Sequence, residues 1–473
     1  MVVRAMLAGM KVLLVNPCDL HLDEVRQKCY PPLNLMYLAA ALREAGHRLA
    51  VLDANAHGMQ PAAIAEHAAG LEPQLVGIPL LSETACQVNH IAGAIGRRLP
   101  DARIVLGGPT ATAQPARSLQ EIAAADFLIA GEGERPLTRL CNALDRGGDV
   151  SRIAGLAWRR EGEVRVQAPA PPEKNPDRFP LPARDLLARE YSAGLYYTLL
   201  VRDRPTETLT TTRGCPCRCA FCYNTIRRFR RRSVPSVMEE IVSIRDRGIR
   251  HIEFVDDSFT LDRDHAMAVL DAIIRERLDL RLVIKSRSDS VDEALLQTAR
   301  RAGVYQISYG MESGVQDMLD RMCKGITVAD NERANRLTLA AGIRSHTSWL
   351  LCFPGETPET LQRTIEFIVR LRPSTANFGV FRPYPGTEAY ETARAEDTLV
   401  GDWSVHDERF PWVRLPWAHS RADLQRWLRR AQRRLYLRPH YALQFAGDIL
   451  SEANLTMARY AWQEALKLLR GVG

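Results

Sequence analysis

Short apolar runs recur from residue 11 to about 150, separated by stretches of helical spacing. Lys11-Val-Leu-Leu-Val-Asn16 reads as a strand, and 35–45 as a helix that Gly46 ends. Arg48-Leu-Ala-Val-Leu-Asp53, Leu75-Val-Gly-Ile-Pro79, Ala102-Arg-Ile-Val-Leu-Gly107 and Asp126-Phe-Leu-Ile-Ala-Gly131 read as four further strands. Strands alternating with helices at this spacing predict a parallel, doubly wound sheet. Ligands of such sheets sit at the carboxyl ends of the strands. There fall Asn16-Pro17, Gly107-Gly108-Pro109-Thr110 and Gly131-Glu-Gly-Glu134, although turn-making alone also accounts for any one of these glycines.

Between 151 and 205 a short β segment precedes the prolines of 168–172 and 179–183. Proline at this density predicts an extended connector. From Glu207 to about Pro385 the alternation resumes, with strands expected over 208–212, 251–255, 281–285, 306–310, 346–352 and 377–381. The pattern therefore divides the chain into 11–150, a connector 151–205, a second α/β domain 206–390 and a small helical region 391–473.

Composition narrows the class without naming it. The chain has 473 residues, 46% hydrophobic and 25% charged, which is enough for two or three cores. Its net charge of +7 is spread along the chain and does not single out a nucleic-acid partner. No apolar run approaches a membrane span. The first ten residues are apolar but too short for a signal segment, and Met6 or Met10 offers an alternative start. Ten cysteines, four of them in one loop, fit a reducing cytoplasm better than secretion.

That loop carries the chemistry. Cys215, Cys219 and Cys222 follow an extended stretch at Cys-x3-Cys-x2-Cys spacing. Three thiolates on one loop can hold three irons of a cubane cluster and leave the fourth iron open to a small molecule. A zinc loop would call for a further Cys or His in a second short-spaced pair, and none lies nearby in sequence.

With Arg213-Gly214 before it and Phe221 inside it, the loop resembles that of the radical S-adenosylmethionine (SAM) superfamily. The resemblance implies a partial (β/α)6 barrel and a [4Fe-4S] cluster whose open iron chelates SAM. Reductive cleavage of SAM then yields a 5′-deoxyadenosyl radical that abstracts hydrogen from an unactivated carbon. It also implies an electron donor of the flavodoxin or ferredoxin type. Cys217 departs from the family pattern; Cys-x-Cys-x-Cys spacings remain conceivable, and a spare thiol is the preferred reading.

Further segments match by position. Asp256-Asp257 occupies the place where relatives receive the methionine ammonium, although a helix cap explains Asp257 or Ser258 equally well. Arg287 resembles the residue that pairs with the methionine carboxylate. Glu312-Ser313-Gly314 resembles the strand end whose glutamate takes the ribose hydroxyls. Leu351-Cys-Phe-Pro-Gly-Glu-Thr357 resembles the turn that backs the adenine, and Tyr384 is open between substrate contact and core. The arginines of 227–232 resemble an anchor for the cysteine loop rather than a nucleic-acid patch. The tail, with Trp403, Trp412, Trp417 and Trp427, caps the barrel mouth in relatives; a packed helical end is the other reading.

Upstream, Asn16-Pro17, the run 31–39, Gly107-Gly108-Pro109 and Gly131-Glu-Gly-Glu134 together resemble the cobalamin-binding domain of one radical SAM subclass. Asn16, Gly107, Gly108 and Thr110 then become cofactor-binding candidates. Two departures stand out. The Asp-x-His-x-x-Gly segment is missing, Asp53-Ala-Asn-Ala-His-Gly58 having its histidine displaced, and Thr110 stands where relatives often carry His. With cobalamin, the resemblance implies C-methylation of a small molecule. Without it, radical deoxygenation of a vicinal diol in an aminoglycoside-type sugar is the alternative, and an iron–sulfur sensor is a third, non-enzymatic one.

Overall fold

The computed structural model describes residues 9–18, 28–198, 205–224, 226–406 and 409–452. The alternative start Met6, the 199–204 end of the expected connector and residues 453–473 of the tail lie outside the described residues. Two compact units emerge. One runs to Tyr196 and takes in Tyr223–Arg230 and Asp402–Phe410; the other holds the remainder.

In the first unit β1 (Lys11–Asn16), β2 (Arg48–Asp53), β3 (Leu75–Pro79), β4 (Arg103–Gly107) and β5 (Phe127–Ile129) pair in parallel, in the order β2-β1-β3-β4-β5. Alternation along each strand feeds two apolar cores. Leu13, Val15, Val76, Ile78 and Ile104 pack with helices Pro61–Leu71 and Ala85–Arg98. Val12, Leu14, Leu75 and Val105 pack with Leu33–Glu44 and Glu134–Asp145. The sheet is thus doubly wound, and its order reverses between β1 and β3, where such folds open a ligand crevice.

The stretch 151–205 departs from the connector expected there. Its hairpin β6 (Leu156–Arg160) and β7 (Glu163–Val166) continues the same sheet antiparallel beyond β5. The reason is burial: Leu156 joins one core and Ala157 the other, while Ala183 is buried and donates its N–H to the Met36 carbonyl at 3.0 Å. Proline density marked extended chain and could not say that the chain lies on a core.

In the second unit β8 (Thr206–Leu209), β9 (His251–Phe254), β10 (Arg281–Ser286), β11 (Val304–Glu312), β12 (Arg344–Leu351) and β13 (Thr375–Val380) form one parallel sheet in chain order. Helices Val234–Asp246, Arg263–Arg275, Glu293–Arg301, Val328–Ala340 and Pro358–Leu371 make the crossovers. The arc stays open at β8 and β13, so this is a partial barrel. The Tyr309 hydroxyl meets Thr338 of the fourth crossover helix at 2.7 Å, which assigns one face of the sheet to the helices. Register places Glu253, Lys285, Ser308, His346, Ser348 and Asn377 on the other face.

The described tail is helical over Arg421–Tyr436 and Pro439–Glu452. Its helices are anchored at the amino-terminal end of β13. The Tyr436 hydroxyl accepts from Ala376 N (2.8 Å) and donates to Ala376 O (2.5 Å). Tyr441 and Gln444 each reach a carbonyl just before that strand, at Pro373 and Ser374 (2.7 Å each). These bonds satisfy backbone groups of an edge strand, which explains the placement. Among the described residues no helix is long and apolar enough to cross a membrane.

Candidate functional site

The cysteine loop leaves the carboxyl end of β8 and is tied down on several sides. Thr211 and Thr212 each give a backbone N–H and a hydroxyl to the Asp256 carboxylate, at 2.5–3.2 Å. Ala220 donates to Met322 O (2.9 Å) and accepts from Ala389 N (3.0 Å), and Cys222 N closes a short turn onto Cys219 O (3.0 Å). Cys219 is buried; Cys215, Cys217 and Cys222 are half-buried.

Among the described residues no three Cys, His, Asp or Glu side chains converge on one point. The fit to a cubane rests on the donor set: four thiols within eight residues, three of them at Cys-x3-Cys-x2-Cys spacing with Cys217 beside Cys215, flanked by the cations of Arg287 and Lys324. Burial pushes the Cys219 thiol up, and Lys324 pulls against it.

Strand ends β9 to β11 bring the predicted residues to this loop in unequal ways. Asp256 is fully committed to the threonines and buried, with burial holding its carboxyl above the usual range; it roots the loop. Asp257, next to it, is exposed. Ser313 is buried, with its hydroxyl against Thr364 at 3.1 Å, a packing position. Arg287 forks onto Asp289 (3.0 and 2.9 Å) and also donates to Lys324 O and Gly325 O (3.0 and 3.3 Å). Glu312 ends β11 beside a bulge, at φ +61°, and is only 9% exposed.

Sequence reasoning missed the partner of Glu312. Lys324 Nζ lies 3.0 Å from Glu312 Oε1, its side chain 10% exposed. The same ammonium stands 5.7 Å from the centroid of the Phe221 ring, within the cysteine loop. Burial alone would lower the Lys324 ammonium, but Glu312 and then Cys219 hold it above its ordinary value. No motif marks a lysine after a short helix, so only the fold could reveal it.

The turn after β12 is built around a buried acid. Glu356 accepts from Cys352 N (2.5 Å) and Phe353 N (3.3 Å), while Trp417 Nε1 donates to its carbonyl (2.7 Å). Phe353 stacks edge-on with Phe221 and Phe381, joining the turn to the cysteine loop and to the end of β13. Tyr384 accepts from Thr387 through its carbonyl.

The arginine run divides by partner. Arg230 is buried against Glu132 (2.8 Å) and donates to Glu173 O (2.8 Å) in the first unit. In the second, Arg231 pairs with Asp262, and buried Arg232 pairs with Glu240 and donates to Thr210 O (3.0 Å). Anchoring is what these side chains do.

In the first unit, Asn16 and Gly107–Thr110 gather at the strand ends around the β1/β3 reversal. Asn16 Nδ2 donates to Asp53 Oδ1 (2.8 Å), and Asp53 also accepts from Ala56 N (3.1 Å) and the Tyr196 hydroxyl (3.0 Å). Asn16 is thus already occupied in orienting a buried acid. Gly108 sits at φ +101°, where a Cβ would come 3.2 Å from Leu80 O, so glycine is required by the turn itself. Thr110 is buried in a chain of hydroxyls, 2.9 Å from Ser82 and 3.1 Å from Tyr223. His57 is turned to Glu190 at 3.1 Å. These residues lie at the carboxyl ends of the strands beside the order reversal, the place where a doubly wound sheet receives its ligand.

Comparison with known proteins matches both domains. Residues 209–368 match the radical SAM superfamily and residues 22–141 the B12-binding domain. An uncharacterized methyltransferase of Pyrococcus horikoshii is 31% identical over 96% of this chain and 99% of its own. An anaerobic magnesium-protoporphyrin IX monomethyl ester cyclase of Cereibacter sphaeroides is 28% identical over 88% of this chain and 69% of its own. The radical SAM methyltransferase TsrM of Kitasatospora setae, solved with tryptophan and a SAM analogue, superposes with TM-score 0.68 at 25% identity, over 82% of this chain and 77% of that one.

An open parallel sheet bearing a cysteine-rich loop, preceded in sequence by a doubly wound domain with a strand-order reversal, is the domain pair of a radical enzyme with a B12-binding domain. The chain belongs to the radical SAM superfamily, in the group that carries a B12-binding domain. It is an enzyme of small-molecule chemistry that uses a [4Fe-4S] cluster, SAM and cobalamin and requires a reductant.

Proposed function

We propose that the protein transfers a methyl group to an unactivated carbon of a polar small molecule. One observation carries this: a B12-binding domain and a radical SAM cysteine loop occur in one chain. When bound, the cluster and SAM supply hydrogen abstraction and cobalamin carries the methyl group. Cys215, Cys219 and Cys222 would ligate the cluster. Arg287 would receive the methionine carboxylate, Asp257 the ammonium and Glu312 the ribose, while Asp256 and Ser313 shape the loops that present them. On the helix-free sheet face, Lys285 lies 3.6 Å from Glu253 among Ser308, His346, Ser348 and Asn377. Such a face suits a substrate rich in hydrogen-bonding groups better than an apolar one. A flavodoxin or ferredoxin would deliver the electron, and ten cysteines without a disulfide fit the reducing cytoplasm that such a cluster needs.

The test needs no substrate. Protein purified without oxygen from cobalamin-fed cells should show a corrinoid absorption band. Given reductant and methyl-labelled SAM, it should place label in the bound corrinoid. Ala at Cys215, Cys219 or Cys222 should lose iron, whereas Cys217→Ala should keep it. A preparation replete in iron and corrinoid that never labels the corrinoid would refute the methyl-transfer reading. Gly108→Leu would be a poor probe of the corrin site, since Leu80 and the positive φ already forbid a side chain there. Thr110→Val is the cleaner variant.

A further inference from the structure

We infer that Lys324 is the positioning residue for SAM binding: its ammonium holds the Glu312 carboxylate in the orientation that receives the ribose hydroxyls. The inference rests on the reading of Glu312 as the ribose contact, and the variants below separate the two.

Glu312 needs holding. It sits at φ +61°, a backbone conformation that non-glycine residues adopt at a cost, directly after a register shift in β11. A buried carboxylate there without a cation would be desolvated and free to turn. Lys324 meets only one of its oxygens, Oε1, at 3.0 Å, which leaves acceptor capacity on the other.

The lysine is fixed in turn from several directions. Arg287 clamps the backbone of Lys324 and Gly325, and Met322 O takes the N–H of Ala220 in the cysteine loop. The segment that bears Lys324 therefore touches the loop of the cysteines and the strand end of the ribose contact at once. Space for the pair comes from Gly310, where a Cβ would lie 2.6 Å from Glu312 Oε1 and 3.0 Å from Lys324 Nζ. Glycine at 310 has an ordinary φ, so no backbone need explains it. Its missing side chain is what admits the ion pair.

SAM affinity, measured by equilibrium binding at equal iron content, tests this. Glu312→Gln and Lys324→Met should each weaken SAM by about tenfold, the loss expected of one charge-assisted hydrogen bond. The double variant should bind no more weakly than Glu312→Gln alone, because Lys324 acts through Glu312. Gly310→Ala keeps both charges and displaces the pair, and should also lose about tenfold in affinity. Should Lys324→Met fail to assemble, Gly310→Ala carries the test. Wild-type affinity in Lys324→Met or Gly310→Ala, with Glu312→Gln weakened, would overturn the role of Lys324 and leave Glu312 standing. Losses that multiply in the double variant would overturn it too, since they would mean that Lys324 binds SAM directly. Wild-type affinity in Glu312→Gln would remove the ribose reading itself.

Discussion

At the scale of single residues, burial and the few groups that answer it set the state of the ionisable side chains around the site. Glu356 illustrates the energetic side. Burial pushes its carboxyl from an ordinary 4.5 up to about 8, against two backbone N–H bonds that pull it down. Its Oε1 has no hydrogen-bond partner, so ionisation leaves half the charge unsatisfied. The folded protein holds a proton there that the unfolded chain releases. Stability from this group is therefore complete below pH 4.5 and lost as pH rises through about 8. Within that window each pH unit carries at most about 1.4 kcal/mol. In cluster-free protein, Glu356→Gln should flatten the urea midpoint between those pH values. A profile identical to wild type would mean that Glu356 is ionised throughout.

At the scale of elements, the cysteine loop leads from a strand to the next helix, and the arginines that follow it are held by ion pairs rather than by apolar packing alone. Arg232 and Glu240 are both buried, with side chains 4% and 0% exposed. Removing one partner of such a pair strands the other charge, at a cost of about 3–5 kcal/mol. Arg232→Met should lower the urea midpoint accordingly, whereas Arg228→Ala, at an exposed position, should shift stability by no more than about 0.5 kcal/mol. The opposite ranking, with Arg228 mattering and Arg232 neutral, would return the run to a surface-binding role. The reading as loop anchors was available from its place after Cys222. Which arginine pairs with which acid was not, because Glu132, Glu240 and Asp262 come from three separate elements.

Across the whole molecule, the helices of the tail complete the sheet of the second unit rather than its mouth. Tyr436 supplies both a donor and an acceptor to Ala376 on the edge strand β13. Tyr436→Phe leaves both backbone groups to seek water. It should cost about 1–3 kcal/mol, read as a lower denaturation midpoint. SAM affinity and iron content should stay unchanged, since the contact lies at the amino-terminal end of the strand and the cysteine loop at the carboxyl end. A loss of SAM affinity in that variant would place the tail helices in the site after all. The loop before those helices does meet the mouth: Trp417 reaches the Glu356 turn, and Val413 packs in one apolar cluster with Ala220 and Phe353.

Local pattern determined a great deal of this protein. The strands at 11–16, 48–53 and 75–79 and the class of both sheets follow from apolar period and turn residues, which act over a few neighbours. The cysteine spacing belongs with them, because thiols placed within eight residues are a local constraint. Only the tertiary structure decided which candidates are presented and which are consumed. Asp256 and Asn16 look like ligand groups in the sequence, but each is spent on a backbone or acid partner about forty positions away. Lys324 looks like an ordinary surface lysine and is buried against Glu312. The physical reason is the same in each case. A polar side chain in a low-dielectric interior is defined by what satisfies it, and the satisfying group is brought there by the fold of the chain, not by its neighbours in sequence.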